Sequence, residues 1–144
     1  MLIGLVSDTH IDSSGESLPP EVAAALYGAE LILHAGDIWH PLVLDSLQSV
    51  APVPASLVDD DTTAYIGGDN RVAAWQTLNL EGLTLWLTHI KPQTGLINVD
   101  KKVLGENPPQ VVVFGHTHHA EIENYRGILF VNPGSQLCPT TFPG

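Results

Sequence analysis

Hydrophobic positions in this chain fall into six short runs, and each run ends in a polar tip. LIGLV leads into Ser7-Asp8-Thr9-His10, ELILHA into Gly36-Asp37, and VPASLV into Asp59-Asp60-Asp61. LTLWL leads into Thr88-His89, QVVVF into Gly115-His116-Thr117-His118, and GILFV into Asn132-Pro133-Gly134-Ser135. The runs are short and rich in Val, Ile and Leu, as fully buried strands are. Helical signals separate the early runs. Pro19 to Gly28 has proline at its start and glycine at its end, and Pro41 to Val50 carries apolar residues near helical spacing. This alternation predicts a β-α-β-α-β opening and a mainly parallel sheet with right-handed crossovers. Two hairpins are expected later. One joins Trp75–Leu80 to Leu83–Leu87 across Glu81-Gly82; the other joins Glu121–Glu123 to Ile128–Val131 across Arg126-Gly127. Val99 to Leu104 reads as a short helix.

Ligands of open α/β sheets bind beyond the carboxyl ends of the strands. All the polar tips stand at such ends. Folding is therefore expected to gather Asp8, His10, Asp37, Asp59, His89, His116 and His118 at one rim. Each piece alone is ordinary. An Asp-x-His after a strand is common turn chemistry, and a Gly-Asp often just caps a turn or helix. His34, inside an apolar run, reads as a core histidine, His40 as a helix start and His119 as a surface residue. The combination is what carries information. Three carboxylates at one rim would raise one another's pKa, and bound cations remove that cost.

Composition narrows the choices. A length of 144 residues suits one domain, taken as residues 1–144, and 44% hydrophobic residues exclude a disordered chain. The net charge of -11 argues against a nucleic acid duplex or an anionic membrane as partner. No apolar run approaches the roughly 20 residues that span a bilayer. Met1 to Val6 lacks the basic flank and cleavage site of a signal peptide and reads as a first strand. One cysteine, Cys138, excludes an internal disulfide framework and fits a cytoplasmic chain.

Carboxylates and imidazoles without a thiolate suit Mn, Fe, Zn or Co rather than a structural zinc or a calcium cage. Seven such ligands are too many for one ion and suit two ions about 3.5–4 Å apart that share a carboxylate. Such a pair favours hydrolysis of a phosphate ester by a bridging hydroxide.

In order and spacing, Ser7-Asp8-Thr9-His10, Gly36-Asp37, Thr88-His89, Gly115-His116-Thr117-His118 and Asn132-Pro133-Gly134-Ser135 resemble the calcineurin-like metallophosphoesterases. More narrowly they resemble the small, minimal phosphodiesterase branch, over Asp8 to Ser135. The resemblance implies a four-layer α/β fold, a β-sandwich of mixed sheets flanked by helices. It implies that Asp8, His10, Asp37 and His118 hold one metal, that Asp37 bridges, and that Asp59, His89 and His116 hold the other. Asp8, Asp37, Asp59 and His118 would form the catalytic set, acting on a small phosphorylated substrate, in the first place a phosphodiester.

Four departures from the family pattern bear on this expectation. Asp59 stands where the family has an asparagine ligand, which implies tighter metal binding at a less positive site. Asp69-Asn70 is the other candidate for that role, less suited because it does not follow a strand. Asp60 replaces a histidine that protonates leaving groups in many relatives, so diesters and activated esters are favoured. Lys91 stands two residues after His89, where relatives often have His-Gly-His, and is expected to contact the substrate phosphate or to be a solvated surface lysine. Relatives commonly run on past Asn-Pro-Gly-Ser into a closing hairpin. Its absence from this sequence implies an open sheet edge that could pair with a second copy as a homodimer. A second function competes: a binding scaffold that keeps the fold without turnover, as in a eukaryotic sorting-complex subunit resembling this branch. That every ligand position holds a metal-binding residue favours the enzyme.

Overall fold

A computed structural model describes residues 1–11, 18–58, 66–93 and 102–135. The first sheet contains β1 (Ile3–Val6), β2 (Leu31–His34), β3 (Ala55–Ser56) and β4 (Val72–Ala73), in that order and all parallel. The second contains β5 (Trp75–Leu80), β6 (Leu83–Thr88), β7 (Val111–Val113), β8 (Glu121–Tyr125) and β9 (Ile128–Asn132), in the order β5-β6-β7-β9-β8. There β6, β7 and β9 run parallel, while β5 and β8 form antiparallel edges.

Three apolar layers hold these elements together. Leu5 and Leu33 of the first sheet meet Leu85, Leu87 and Val113 of the second, so the sheets pack face to face. On the outer face of the first sheet, Ile32 packs with Leu26, which closes α1 (Pro20–Ala25), and with Val43, Leu44 and Leu47 of α2 (Pro41–Gln48). On the outer face of the second, Val112, Phe114 and Phe130 pack with Leu104 of a short helical stretch. The expected sandwich of sheets flanked by helices is the fold observed. The early part of the helix expected at Val99–Leu104 lies outside the described residues. Among the described residues no helix is long and apolar enough to cross a membrane.

Local chemistry explains the boundaries. Both helices begin with proline at the first helical position, where its missing N–H costs nothing. His40 starts α2 by accepting the Leu42 N–H on Nδ1 at 3.2 Å. Glu81-Gly82 and Arg126-Gly127 take positive φ at both positions (51° and 86°, 50° and 83°), as tight hairpins require. The run 53–58 pairs as a strand only over Ala55–Ser56. Pro52 and Pro54 carry no N–H, so they contribute only carbonyls, to Ile32 N and His34 N. β4 was not expected. The backbone N–H groups of Ala55 and Leu57 donate to the carbonyls of Arg71 and Ala73, and Gln76 Nε2 donates to the carbonyls of Ala55 and Arg71.

Parallel direction has one consequence for the site. The carboxyl ends of β1 and β2 lie at one edge of their sheet, as do those of β6, β7 and β9 in theirs. Hydrogen bonds tie each edge together, Asp8 N to Gly36 O at 3.0 Å in the first sheet and Gly115 N to His89 O at 2.9 Å in the second, and Ser135 Oγ to Asp8 O at 2.8 Å joins the two. Phe130 is fully buried in the layer beneath this edge. Phe130→Ala is expected to lower unfolding free energy by about 3–5 kcal/mol, measured by urea denaturation of the metal-free protein.

Candidate metal centre

Beyond the strand ends the chain turns through left-handed backbone. Asp8, His10, Asp37, Trp39, His116 and His118 have φ of 51°, 49°, 59°, 71°, 71° and 61°. Apart from the hairpin residues Glu81 and Arg126, these are the only non-glycine residues with positive φ among those described. Asp and His tolerate this region better than most side chains. The spacing of two lets Asp8 and His10 face the rim while Thr9 between them faces inward to His34.

Asp8 is fully buried. Its Oδ2 accepts from Ser7 Oγ at 2.5 Å and from the His116 backbone N–H at 3.1 Å. Its Oδ1 has no hydrogen-bond partner. That oxygen faces His118 Nε2 at 3.4 Å and His89 Nε2 at 3.8 Å. His89 donates from Nδ1 to the Ala35 carbonyl at 2.7 Å, which leaves the lone pair on Nε2, the nitrogen that faces Asp8. Asp37 is engaged on both oxygens, Oδ2 by His10 Nε2 and Oδ1 by Trp39 Nε1, the latter at 2.7 Å.

One ligand atom from each of Asp8, His10, Asp37 and His118 lies within 4.8 Å of all the others. The imidazoles form two ring pairs, His10 with His118 at 4.9 Å and His89 with His116 at 5.2 Å. The structure thus brings together the four residues grouped around one ion in the sequence reading, and puts His89 beside His116. Asp59 and Asp60 lie outside the described residues. Among the described residues the donor set fits divalent metal: a buried carboxylate oxygen without a hydrogen bond, converging imidazole nitrogens, one of them oriented by the Ala35 carbonyl, and no thiolate.

The supports of this centre are packed tightly. A Cβ on Gly36 would meet His89 Nδ1 at 2.7 Å, and Gly36 has φ 94°, so only glycine serves there. A Cβ on Gly115 would collide with the side chains of Ser7 and Asp8. Asn132 Nδ2 donates to Gly115 O at 2.9 Å and Thr117 Oγ1 at 3.0 Å, and Asn132 Oδ1 accepts from Gly134 N at 2.8 Å. The Asn-Pro-Gly-Ser tip therefore braces the histidine loop from below. His34 is a core histidine: Nδ1 accepts from Gly36 N at 3.2 Å and Nε2 donates to Thr9 Oγ1 at 3.1 Å. Burial, reinforced by nearby His89, pushes its pKa down from 6.5 to about 3.

Lys91 is not a solvated surface lysine but a half-buried, paired one. Its ammonium binds Glu121 and Glu123 of β8 and lies about 5.2 Å and 5.3 Å from the ring centres of Phe114 and Phe130. Burial opposes its charge, but the two carboxylates outweigh burial and raise its pKa. Asp69, of the alternative Asp69-Asn70, is taken by Arg71, whose guanidinium holds the carboxyl below its usual range. Arg71 also binds Asp45 and Gln48. Trp39 had drawn no attention in the sequence; its only signal there is a position two residues after Asp37.

Known proteins resemble this chain in sequence and in fold. The family model of the calcineurin-like phosphoesterase superfamily domain matches residues 1–143. A probable metallophosphoesterase of Methanothermobacter thermautotrophicus is 32% identical over 96% of this chain and 79% of its own length. A phosphodiesterase of Methanocaldococcus jannaschii is 26% identical over 93% of this chain and 83% of its own length. A crystal structure of a Vps29 mutant from Entamoeba histolytica superposes with a TM-score of 0.73 at 19% identity, covering 98% of this chain and 78% of that one. At that identity the likeness is one of fold.

The depressed pKa of His34 predicts an acid limb in stability. Unfolded, the imidazole binds a proton below about 6.5; folded, only below about 3. Stability contributed by its neutral form is present above 6.5 and is lost as pH falls toward 3, at up to about 1.4 kcal/mol per unit. Urea unfolding of the chelated protein at pH 7, 6, 5 and 4 should show this slope, and His34→Gln should show a shallower one.

Proposed function

The chain belongs to the calcineurin-like phosphoesterase superfamily, and on that premise we propose that it is a phosphodiesterase working with a pair of divalent ions. The observation that carries this reading is the buried Asp8 Oδ1, without a hydrogen bond, facing the Nε2 atoms of His118 and His89. In this reading Asp8, His10, Asp37 and His118 would hold one ion, and His89, His116 and Asp59, together with Asp37, the other. Such a pair, once bound, supplies a water of lowered pKa as nucleophile and offsets charge on the phosphoryl oxygens.

The protein's own groups prepare that chemistry. Ser7 Oγ and the His116 N–H fix Asp8 by one oxygen and leave the other aimed at the site. The Ala35 carbonyl accepts the His89 Nδ1–H and so directs Nε2 to the same place. The substrate would be a small phosphodiester with a good leaving group, because Asp60 stands where the family resemblance puts a protonating histidine in many members. The phosphodiesterase named among the relatives supports this substrate class. Mn, Fe, Zn and Co all suit the donor set.

Metal-stripped protein should hydrolyse bis(p-nitrophenyl) phosphate on addition of Mn²⁺ and lose activity to chelator. Removing a partner that merely orients a ligand costs about 10–100-fold; Asp37→Ala, which removes the shared ligand, should cost at least as much in kcat/KM. Inactivity with ions demonstrably bound would replace this reading with the scaffold. Asp59→Asn should weaken ion binding in calorimetry and alter turnover; identical affinity and rate would remove Asp59 from the ligand set.

A further inference from the structure

Resting on the ion-binding reading of the centre, we propose that Trp39 is a positioning residue that fixes the rotation of the Asp37 carboxylate through its indole N–H. Trp39 Nε1 donates to Asp37 Oδ1 at 2.7 Å, and the indole lies 4.9 Å from the His10 ring. Its backbone sits at φ 71°, a costly conformation for so bulky a side chain. The indole is 43% exposed, so burial of its ring recovers only part of that cost. A large aromatic held in strained backbone with its one polar atom on a candidate ligand points to a role at that ligand.

The geometry shows what the role is. Asp37 is gripped from two sides, by His10 on Oδ2 and by Trp39 on Oδ1. His10 and Asp37 both belong to the four-residue group whose ligand atoms converge within 4.8 Å. Their mutual contact therefore competes with ion binding, since an ion between them takes the lone pairs they now share. The indole contact does not compete. A carboxylate oxygen has two lone pairs, and one N–H donor leaves the other for a cation. Of the two grips, Trp39 is the one that persists when Asp37 turns to its ligand role. It holds the carboxylate without adding charge, as outer partners of metal ligands do. Being neutral, it also leaves the attraction of the site for cations intact.

Trp39→Phe removes the N–H and keeps a ring beside His10. Metal-stripped wild type and variant should be titrated with Mn²⁺ by calorimetry. The variant is expected to bind about tenfold more weakly, with an unchanged melting temperature in the metal-free state. A second readout isolates the indole. Trp75 and Trp86 pair with each other in the second sheet at 4.9 Å. In a Trp75→Phe/Trp86→Phe background, Mn²⁺ should change the emission of Trp39 with the same midpoint as calorimetry. Equal Mn²⁺ affinity of wild type and Trp39→Phe overturns the proposal while leaving the ion centre standing. Failure of the wild type to bind Mn²⁺ overturns both, and the wild-type titration alone distinguishes the two failures.

Discussion

The structure is organised around the constraint of keeping a carboxylate dry. Asp8 has no exposed surface, and its groups reach most of the polar tips at the rim. Its N–H donates to Gly36 O, its carbonyl accepts from Ser135, and its Oδ2 accepts from Ser7 and from the His116 backbone. One oxygen is left over. A buried polar atom without a partner costs about 1–3 kcal/mol, and more when charged. A cation at that oxygen would reverse the sign of this term. Stability and ion binding are then linked, because whatever binds only the native state stabilises it by mass action.

Building such a point requires both sheets. Parallel strands end together, and two sheets packed through Leu5, Leu33, Leu87 and Val113 bring two sets of ends to one edge. The chain must then turn at once to keep its side chains there, which explains why left-handed residues cluster at Asp8, His10, Asp37, His116 and His118. Their hydrogen bonds, such as Asp8 N to Gly36 O and His116 N to Asp8 Oδ2, over-determine conformations that would be unfavourable in a free loop.

Much of this was readable from the chain because the signals are local. Apolar runs give the strands, and the dipeptides Glu81-Gly82 and Arg126-Gly127 give the hairpins. Repetition of a strand followed by Asp or His gives the rim. What escaped reading depends on long-range polar contacts that leave no period in the sequence. β4 takes its place through backbone bonds and through Gln76, beside a guanidinium tied to Asp69, Asp45 and Gln48. The partners of Lys91 come from a strand about 30 residues later, so its exposure could not be judged from its neighbours. The grip of Trp39 on Asp37 spans only two residues, yet it depends on a backbone conformation that tryptophan rarely adopts.

Charge placement supplies the last step. A chain with net charge -11 must still attract an anionic phosphodiester if it is to act on one. Its five cationic side chains give little help. Arg71 is bound by Asp69 and Asp45, Lys91 by Glu121 and Glu123, and Arg126 lies over Tyr125 at a hairpin turn. Lys102 belongs to the helical stretch beside Leu104, and Lys101 lies outside the described residues. Among the described residues, Arg71 and Lys91 are thus already paired with carboxylates, and a bound cation would supply positive charge for the phosphoryl group at the rim. The rim, with aspartates and imidazoles converging on one carboxylate oxygen, is where the sequence has invested the means of acquiring it.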